Sequence, residues 1–454
     1  MSWQRLKTLD GIAQPFVKFV DKFYPDAFLF VIILSFLTYL LSLGFTDYSS
    51  VDILQAWGNG LPKLFTFTAQ ICIIMVTAHA LAHTQPIEKF LDKIGCLPNS
   101  QVQAYSLVTF ISGIASLFAW SFGLIVGGLI AKFVAIGCQK KKIKIHYPLL
   151  VASAYSGYVI WHMGYSSSAA LFVASENHSL IDKVGIIPVT QTIFSTFNIS
   201  VALVTLIAIT YVAPLMRPKT NKDIIEVDAK NLFKKDEKEP VSNIRSIAQV
   251  IENSRILSIL TGLAVLMFVF ITFMNKGFFL DLNLVSWTFL CIGLMLSNSP
   301  IHYVKLINKA SITVGPIILQ YPFYAGIMGI MADTGLINIL AEKIVNISSA
   351  ETLGFYSFLS GGLVNMFIPS GGGQWAVQGP VMMQAANILD VEPFVVVLGV
   401  SYGDQWTNMI QPFWTIPLLA IAGLHMRQIM GYTFIIFLIT GIIFGSSLLY
   451  LGSG

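Results

Sequence analysis

The residue with the clearest capacity for chemistry is Asp404, an acidic side chain inside the apolar stretch that contains SYGDQWTNMIQPFW at 401–414. An aspartate at the centre of a membrane-spanning helix costs about 2.5–3.5 kcal/mol, so it is retained only where it has a task. No Lys or Arg lies near it in sequence. We expect Asp404, with Ser401, to carry a proton or to bind Na⁺. The alternative is that Asp404 only caps a half-helix that restarts after Gly403.

A second candidate site is the sequence PSGGGQWAVQGP at 369–380, which also lies within a long apolar stretch. One Pro and three Gly residues cost a helix about 6 kcal/mol relative to Ala, so we expect the helix to break here. Inside a bilayer, broken backbone survives only where it is buried in protein or lines a cavity. A half-helix that follows the break offers free N–H groups and a positive dipole end to a carboxylate. The candidate carboxylate ligands are Ser370, Gly371, Gly372, Gly373 and Gln374, and the alternative is a tight turn without a ligand.

Further candidates are spread along the chain, and each also has a purely structural interpretation. Neutral polar side chains in apolar surroundings either bind substrate or form hydrogen bonds between helices. Tryptophans either form the wall of a pocket for an alkyl chain or pack in the core, and histidines could move protons. No spacing predicts a metal centre beyond Na⁺ near Asp404, and no cofactor is expected. The candidates are Ser121 and Gly123 at a second break, the polar residues Asn365, Asn408 and Gln411, the tryptophans Trp161 and Trp375, and the histidines His79, His83 and His162.

The composition is that of a membrane protein with little soluble material. Of 454 residues, 55% are hydrophobic and 11% charged, where soluble domains carry about 25% charged residues. The apolar run 27–44 lies too far from the start, after an acidic prelude, for a cleaved signal peptide, so we expect a retained span. The net charge of +4 does not indicate a nucleic-acid partner, and the four cysteines form no CxxC pair.

The distribution of basic residues tests the topology. The stretches 106–137 and 353–389 are long and carry helix breakers near their middles, so we expect each to be a re-entrant hairpin that enters and leaves by one face. With a cytoplasmic N-terminus, 22 of the 27 Lys and Arg residues then lie inside and 4 outside, a strong positive-inside bias. The remaining predicted spans are 27–44, 64–83, 147–174, 191–213, 256–274, 283–297, 310–332, 394–422 and 430–452.

These elements predict an all-α polytopic membrane protein built as an inverted repeat. The extra span 256–274 reverses the second half, so the two hairpins enter from opposite faces, as in many secondary transporters. Mid-span polar residues and Gly or Pro predict a discontinuous helix after each hairpin. The predicted parts are a first half at 1–213 with broken helix 147–174, a polar cytoplasmic linker at 214–255, and a second half at 256–454 with broken helix 394–422.

Over essentially its whole length the chain resembles the bacterial short-chain fatty acid uptake permeases, which are associated with acetoacetate and butyrate use. The most specific stretches are QYPFYAGI at 320–327, NMFIPSGGGQWAVQGP at 365–380 and SYGDQWTNMIQPFW at 401–414. The chain departs from the family at 119–121, where Ala-Trp-Ser stands in place of Asn-Trp-Gly. The resemblance implies a carrier of short monocarboxylates in the bacterial cytoplasmic membrane. It also implies kinship with ion transporters whose paired hairpins and broken helices move as an elevator, and by analogy a homodimer.

The main hypothesis is a secondary transporter that carries a short-chain fatty acid anion together with H⁺ or Na⁺. A rival on the same architecture carries another organic anion such as a dicarboxylate, although the absence of central Lys or Arg favours a single negative charge. A passive channel is a second rival. An intramembrane aspartyl protease is the rival from another class, but its second aspartate would have to be Asp333, which sits at a predicted span edge. We therefore expect no enzymatic activity.

Overall fold

The computed structural model describes residues 15, 26–175, 181, 185–218, 220, 223–227, 246–276 and 282–453. Nearly all of the first 25 residues and most of the predicted linker 214–255 lie outside the described residues, so their cytoplasmic placement stays a prediction. Every regular element of the described part is helical. The α-helices are α1 (Ala27–Phe45), α2 (Ser50–Gly60), α3 (Phe65–Ala82), α4 (Gln85–Gly95), α5 (Gln101–Phe118), α6 (Trp120–Lys140), α7 (Tyr147–Ser156), α8 (Ser168–Val173), α9 (Thr196–Val212), α10 (Ile247–Glu252), α11 (Arg255–Lys276), α12 (Leu282–Leu296), α13 (Pro300–Ser311), α14 (Gly315–Asp333), α15 (Leu336–Val345), α16 (Leu353–Asn365), α17 (Gly371–Ile388), α18 (Pro393–Thr407), α19 (Thr415–Ala422) and α20 (Met426–Ser453).

Seven helical segments of the described residues are long and apolar enough to cross a membrane, and α13 with α14 forms an eighth if the pair, bent by 53°, is one span. Helix α11 shows why these segments belong in lipid: Met267, Phe268 and Met274 are each more than half exposed. An apolar face of that size would not be left in water. The protein is therefore a multi-pass membrane protein. The seven segments are Ala27–Phe45, Ser50–Ala82, Gln101–Phe118, Trp120–Lys140, Thr196–Met216, Arg255–Asn275 and Met426–Ser453.

The segment 45–63, expected to be an external connection, contains helix α2. Its start is a capping box: Ser49 Oγ accepts from the Asp52 N–H at 3.3 Å, and the Asp52 carboxylate accepts from the Ser49 N–H at 3.2 Å. Such reciprocal bonds satisfy two of the N–H groups that a helix start leaves open. The chain then continues through the 3₁₀ turn Leu61–Leu64 into α3. Sequence periodicity missed this element because only three of its residues, Ile53, Ala56 and Gly60, are buried.

The first expected hairpin consists of α5 and α6, joined at the single extended residue Ala119 (φ −156°, ψ 133°). The two helices pack together, and the end of α6 lies close to the residues that precede α5. Lys140 Nζ pairs with Asp92 Oδ1 of α4 at 2.5 Å, and Lys141 Nζ donates at 2.8 Å to Asn99 Oδ1, just before α5. The far ends of α5 and α6 therefore lie side by side. Each of the two helices is long and apolar enough to cross a membrane by itself, so a re-entrant path for this pair stays a prediction.

Both expected discontinuous helices are interrupted in the same way. Helix α7 continues as the 3₁₀ helix Gly157–Met163, loses helical form, and resumes as α8. Helix α18 continues as the 3₁₀ helix Asn408–Ile410, loses helical form at Gln411, and resumes as α19. A tighter 3₁₀ turn at a helix end leaves carbonyl and N–H groups that need partners outside the helix. Both interruptions therefore place polar backbone within the buried core.

Helices α16 and α18 approach closely because glycines line their contact. A Cβ atom at Gly403 would clash with the Phe358 carbonyl oxygen and lie 2.5 Å from Gly362 N. Gly399 and Gly403 are four residues apart, the spacing that allows membrane helices to pack backbone against backbone. The residue after Gly403 is Asp404, so this contact brings the aspartate against the end of α16.

We predict that Gly403→Ala destabilises the protein by about 1–3 kcal/mol, because the added methyl group meets backbone that cannot move aside. Thermal and denaturant unfolding of the purified protein measures the effect. The control is Gly44→Ala in α1, where a Cβ meets nothing within 4 Å. Equal stability of the two variants would show that the close contact is not needed.

Candidate functional site

Asp404 lies at the centre of a buried polar network and is 1% exposed. Its Oδ2 lies 3.0 Å from His162 Nε2 in the 3₁₀ helix after α7. Its Oδ1 accepts from Asn365 Nδ2 at 2.5 Å and from Asn408 Nδ2 at 3.4 Å. The carboxylate is thus surrounded by N–H donors from three elements, which replace the water that burial removes.

The orientation of these amides follows from one unambiguous donor. The Trp161 Nε1–H group can only donate, and it donates to Asn408 Oδ1 at 2.9 Å. Asn408 Nδ2 must therefore face Asn365 Oδ1, at 3.0 Å. Asn365 in turn directs its Nδ2 at Asp404. The indole of Trp161 thereby determines, through two amides, that the carboxylate receives hydrogen bonds.

Asn365, the last residue of α16, connects four parts of the structure. Its Oδ1 accepts from Thr407 Oγ1 at 3.0 Å, from Asn408 and from Gln411 Nε2. Its Nδ2 also lies 3.3 Å from Gln374 Oε1, in the first turn of α17. The end of α16, the start of α17 and both sides of the α18 interruption therefore share one amide.

Gln374 anchors the start of α17 to α16. Its Nε2 donates to the Gly361 carbonyl at 2.8 Å and to Gln378 Oε1 at 2.9 Å. Gln378 Nε2 continues the chain to Ser360 Oγ at 2.8 Å. These residues are fully buried, and each bond replaces one that water would otherwise make. The two arms of the second hairpin are thus joined by side chains as well as by the turn.

His162 is held by contacts on three sides. Its backbone N–H donates to Gln405 Oε1 at 2.9 Å. Its imidazole Nδ1 lies 3.1 Å from Ser167 Oγ, in the break before α8. The residue after it, Met163, has its carbonyl bound by Asn198 Nδ2 of α9 at 2.9 Å. Asn198 Oδ1 accepts from Tyr402 OH at 2.9 Å. The imidazole is therefore fixed between the two interrupted helices.

The start of α17 lies directly against the His162–Asp404 pair. A Cβ at Gly371 would be 2.7 Å from His162 Nε2 and 3.0 Å from Asp404 Oδ2, so any larger residue would have to displace these side chains. Ser370 caps the helix by accepting from the Gly373 N–H at 3.4 Å. The N–H groups of Gly371 and Gly372 belong to the first turn and have no acceptor within the helix. Gly372 is exposed, with nothing within 4 Å of a Cβ.

An aromatic cluster adjoins the network on the side of Trp161. Tyr158 stacks on Trp161 at 5.8 Å between ring centroids, and Trp414 lies 6.1 Å from Trp161. Trp120, at the start of α6, meets Trp414 edge to face at 4.8 Å. The Tyr158 hydroxyl and the Trp414 Nε1–H are buried and have no hydrogen-bond acceptor among the described residues. The cluster therefore combines apolar rings with two unused donors.

The structure brings most of the predicted residues together. Seven of them form the network or its wall: Asp404, Asn365, Gln374, Asn408, Gln411, Trp161 and His162. Ser370, Gly371, Gly372 and Gly373 form the adjoining helix start. Ser401 is buried nearby on α18, and its hydroxyl has no partner among the described residues.

Five predicted residues stand apart from the network's hydrogen bonds. Two of them, His79 and His83, stack on each other at the end of α3, with 4.2 Å between ring centroids. Ser121 and Gly123 lie inside the first turn of α6, where Gly123 packs on Ser116 of α5. Trp375 is buried in a separate apolar cluster with Met382. Among the described residues, no group of three His, Cys, Asp or Glu side chains could hold a metal ion.

Sequence reasoning missed several residues of the network, among them Gln405, Thr407 and Asn198. Gln405 and Thr407 flank Asp404 and could have been inferred from their polarity in an apolar stretch. Asn198 could not have been inferred, because an Asn in the first turn of a helix, here α9, needs no functional explanation. Its partner Tyr402 is 204 residues away in the chain.

The sequence matches a protein family described as "Short chain fatty acid transporter" over residues 8–451. It is 35% identical over 434 residues to an Escherichia coli K12 protein named "Putative short-chain fatty acid transporter", covering 95% of this chain and 98% of that one. A Haemophilus influenzae Rd protein of the same name is 35% identical over 447 residues, with the same coverage.

Two solved transporters align over nearly the whole chain at low similarity. The Alcanivorax borkumensis YdaH transporter has 13% identity and a TM-score of 0.44, covering 95% of this chain and 99% of its own. Neisseria gonorrhoeae MtrF, described among antimetabolite efflux pumps, has 14% identity and a TM-score of 0.39, covering 96% and 97%. Likenesses this weak do not establish a shared fold.

We predict that Trp161→Phe lowers the free energy of unfolding by about 1–3 kcal/mol, since the side-chain oxygen Oδ1 of Asn408 loses its donor inside the core. Unfolding of the purified variant measures the loss. The matched control is Trp57→Phe, because the buried Trp57 Nε1–H has no acceptor among the described residues and its removal breaks no hydrogen bond. If both variants lose the same stability, ring size rather than the hydrogen bond is responsible.

Proposed function

Because this chain belongs to the short-chain fatty acid transporter family, we propose that it is a secondary transporter that carries a short-chain fatty acid anion together with a cation. Members of the family are transporters, so the alternative of an intramembrane enzyme is set aside. One observation carries the assignment of the site: the glycine-only start of α17 lies directly against the buried His162–Asp404 pair. An anion-binding helix end and a group able to bind a cation are thus adjacent.

The carboxylate of the substrate would bind at the start of α17. The N–H groups of Gly371 and Gly372 are available there, and the helix dipole adds positive potential. Gly372 is exposed, so an incoming anion can reach this turn without displacing a side chain. Ser370 and Gln374 flank the same turn, and Asn365, Asn408 and Gln411 connect it to Asp404.

The short alkyl tail would contact the neighbouring aromatic rings. Trp161 joins the polar network to the rings of Tyr158 and Trp414. A chain of a few methylene groups gains about 0.8 kcal/mol for each one it buries. A mostly apolar wall with a few convergent polar groups is the usual character of a small-molecule site.

The second hairpin has the length expected of a re-entrant element. Helix α16 has 13 residues, which at 1.5 Å each span about 20 Å, whereas the hydrocarbon core is about 30 Å thick. Both of its ends contact α18, the interrupted helix. We propose that this hairpin and the α5–α6 pair belong to two inverted halves, 1–213 and 256–454, joined by the cytoplasmic linker 214–255. On this proposal the protein is a homodimeric elevator-type carrier of the bacterial inner membrane.

A cation is required by the charge of the substrate. Moving one negative charge inward against 100 mV costs about 2.3 kcal/mol, and one accompanying cation removes that cost. Asp404 is suited to this role because it is buried, and among the described residues no Lys or Arg forms an ion pair with it.

We predict that Gly371→Ala lowers the initial rate of butyrate uptake into proteoliposomes by about tenfold, because the methyl group would separate α17 from the His162–Asp404 pair. Protein-free vesicles give the background, since undissociated acid crosses lipid unaided. Gly315→Ala is the matched control: it is also the first residue of a helix, and its Cβ meets nothing within 4 Å. Equal rates for both variants would remove the start of α17 from the transport path.

We predict that Asp404→Asn abolishes accumulation of butyrate against its concentration gradient, because the neutral amide can no longer bind a cation. The measurement is uptake driven separately by a proton gradient and by a sodium gradient. Asp333→Asn is the control, since this carboxylate pairs with Lys63 at the surface. Unchanged dependence on both gradients in Asp404→Asn would exclude Asp404 from coupling.

Two simple assays separate the rival carriers. Butyrate counterflow, in which internal unlabelled substrate accelerates entry of label, supports a carrier and excludes a passive channel. Competition by acetate, butyrate, acetoacetate and succinate compares one negative charge with two. Stronger inhibition by succinate would favour a dicarboxylate carrier.

A further inference from the structure

We propose that His162 and Asp404 act as one proton-binding unit, in which His162 takes up the coupling proton and Asp404 stays ionised. This inference rests on the proposed function and adds the identity of the coupling ion, which is H⁺ rather than Na⁺. The carrier would thus move one proton with each fatty acid anion.

The amide network holds Asp404 in its charged form. Trp161 orients Asn408, and Asn408 orients Asn365, so that an N–H group faces Asp404 Oδ1 from both amides. A protonated carboxyl at Oδ1 would place its O–H against these N–H groups. Hydrogen bonds to the charged form favour that form. The amides therefore favour storage of the proton on the other partner of the pair, across the contact between Asp404 Oδ2 and His162 Nε2.

His162 is built to exist in two protonation states without losing a hydrogen bond. In the neutral state Nε2–H donates to Asp404 Oδ2, and Nδ1 accepts from the Ser167 hydroxyl. A proton from solvent adds to the Nδ1 lone pair, after which Nδ1–H donates to Ser167 Oγ. A hydroxyl both donates and accepts, so Ser167 satisfies either state by rotation. Imidazole is also the side chain whose charge normally changes near neutral pH.

The same geometry disfavours Na⁺ at this position. Sodium needs several oxygen atoms that converge on one point. The groups that face the carboxylate are instead the nitrogens of Asn365, Asn408 and His162. The oxygen of Asn365 already accepts three hydrogen bonds, from Thr407, Asn408 and Gln411. A sodium ion would have to invert amides whose orientation the Trp161 N–H determines.

Few other ionisable groups face the pair. The side chains from the neighbouring elements are neutral: Asn365 from α16, Gln374 from α17 and Ser167 from the break before α8. The 3₁₀ helix that contains His162 also contains the buried phenol of Tyr158. On α18, the Tyr402 hydroxyl points to Asn198 of α9. On α6, Lys132 lies 12 residues from Trp120, or about 18 Å along the helix. Tyr105 of α5 and Tyr432 of α20 bind His146.

Substrate and proton would bind cooperatively because their two sites adjoin at Gly371, which offers its N–H group to the substrate and lies against the His162–Asp404 pair. With neutral His162 the pair carries one negative charge, which repels a carboxylate at the start of α17. With protonated His162 the pair is neutral, and the repulsion disappears. Each ligand therefore strengthens binding of the other, as thermodynamic linkage requires. Proton and anion then travel together as a neutral unit.

The test is butyrate binding by the purified full-length protein in nanodiscs, followed by calorimetry between pH 6 and pH 8. Buffers of different ionisation enthalpy count the protons taken up. We expect affinity to fall as pH rises, by up to about tenfold per pH unit where one proton is linked. His162→Gln should flatten this dependence and abolish proton uptake. Replacing Na⁺ by N-methylglucamine should change affinity less than twofold.

The matched control is His146→Gln, which removes another buried histidine, one that contacts Tyr432 rather than the network. It should keep the wild-type pH dependence. The inference is overturned if wild-type affinity is independent of pH, if His162→Gln keeps the wild-type slope, or if binding requires Na⁺. If the wild type shows no saturable butyrate binding at all, the proposed function itself fails, and the inference with it.

A second measurement does not depend on a stable variant. In protein labelled with ¹⁵N-histidine, saturating butyrate at constant pH 7.5 should convert one imidazole from the neutral to the doubly protonated chemical-shift pattern. The same addition should leave the remaining histidines unchanged. Absence of any converted imidazole in protein that binds butyrate would overturn the inference.

Discussion

The structure depends on the burial of one carboxyl group. Asp404 is 1% exposed, and its carboxyl group accepts hydrogen bonds from two amides and contacts one imidazole. A buried ion without such partners costs far more than a membrane helix can tolerate. Each neighbouring element serves this requirement: glycines let α16 and α18 approach, and interrupted helices bring in donors that regular helices would use internally.

The interruptions therefore have a chemical purpose as well as a geometric one. A continuous helix bonds its own N–H and C=O groups and offers nothing to a ligand. The break at 366–370 leaves first-turn N–H groups at Gly371 and Gly372, and the break at 164–167 brings Ser167 to His162. The same departure from helical form thus leaves first-turn N–H groups at one break and brings a hydroxyl group to the imidazole at the other.

The sequence predicted the parts of the fold that follow from local physical chemistry. Five of the predicted spans fall on segments long and apolar enough to cross a membrane. Pro369 lies in the break that the structure has at 366–370, whereas the three glycines form the first turn of α17. Helix α2 was missed because a capping box and three buried residues give little periodicity. Trp375 was a candidate wall for the substrate but packs beside Met382, because the face of α17 on which it lies turns toward another apolar cluster. No local pattern reports such a rotation.

The sequence by itself determined that Asp404 and the residues 370–374 are costly in a membrane and therefore need partners. It could do so because the cost of a charge or of broken helix depends on local composition alone. Only the tertiary structure decided which residues are those partners. His162 is 242 residues from Asp404, and Asn365 is 39. Hydrogen bonds require atoms about 3 Å apart in a defined orientation, and that orientation arises only when α16, α17, α18 and the interrupted α7 pack together.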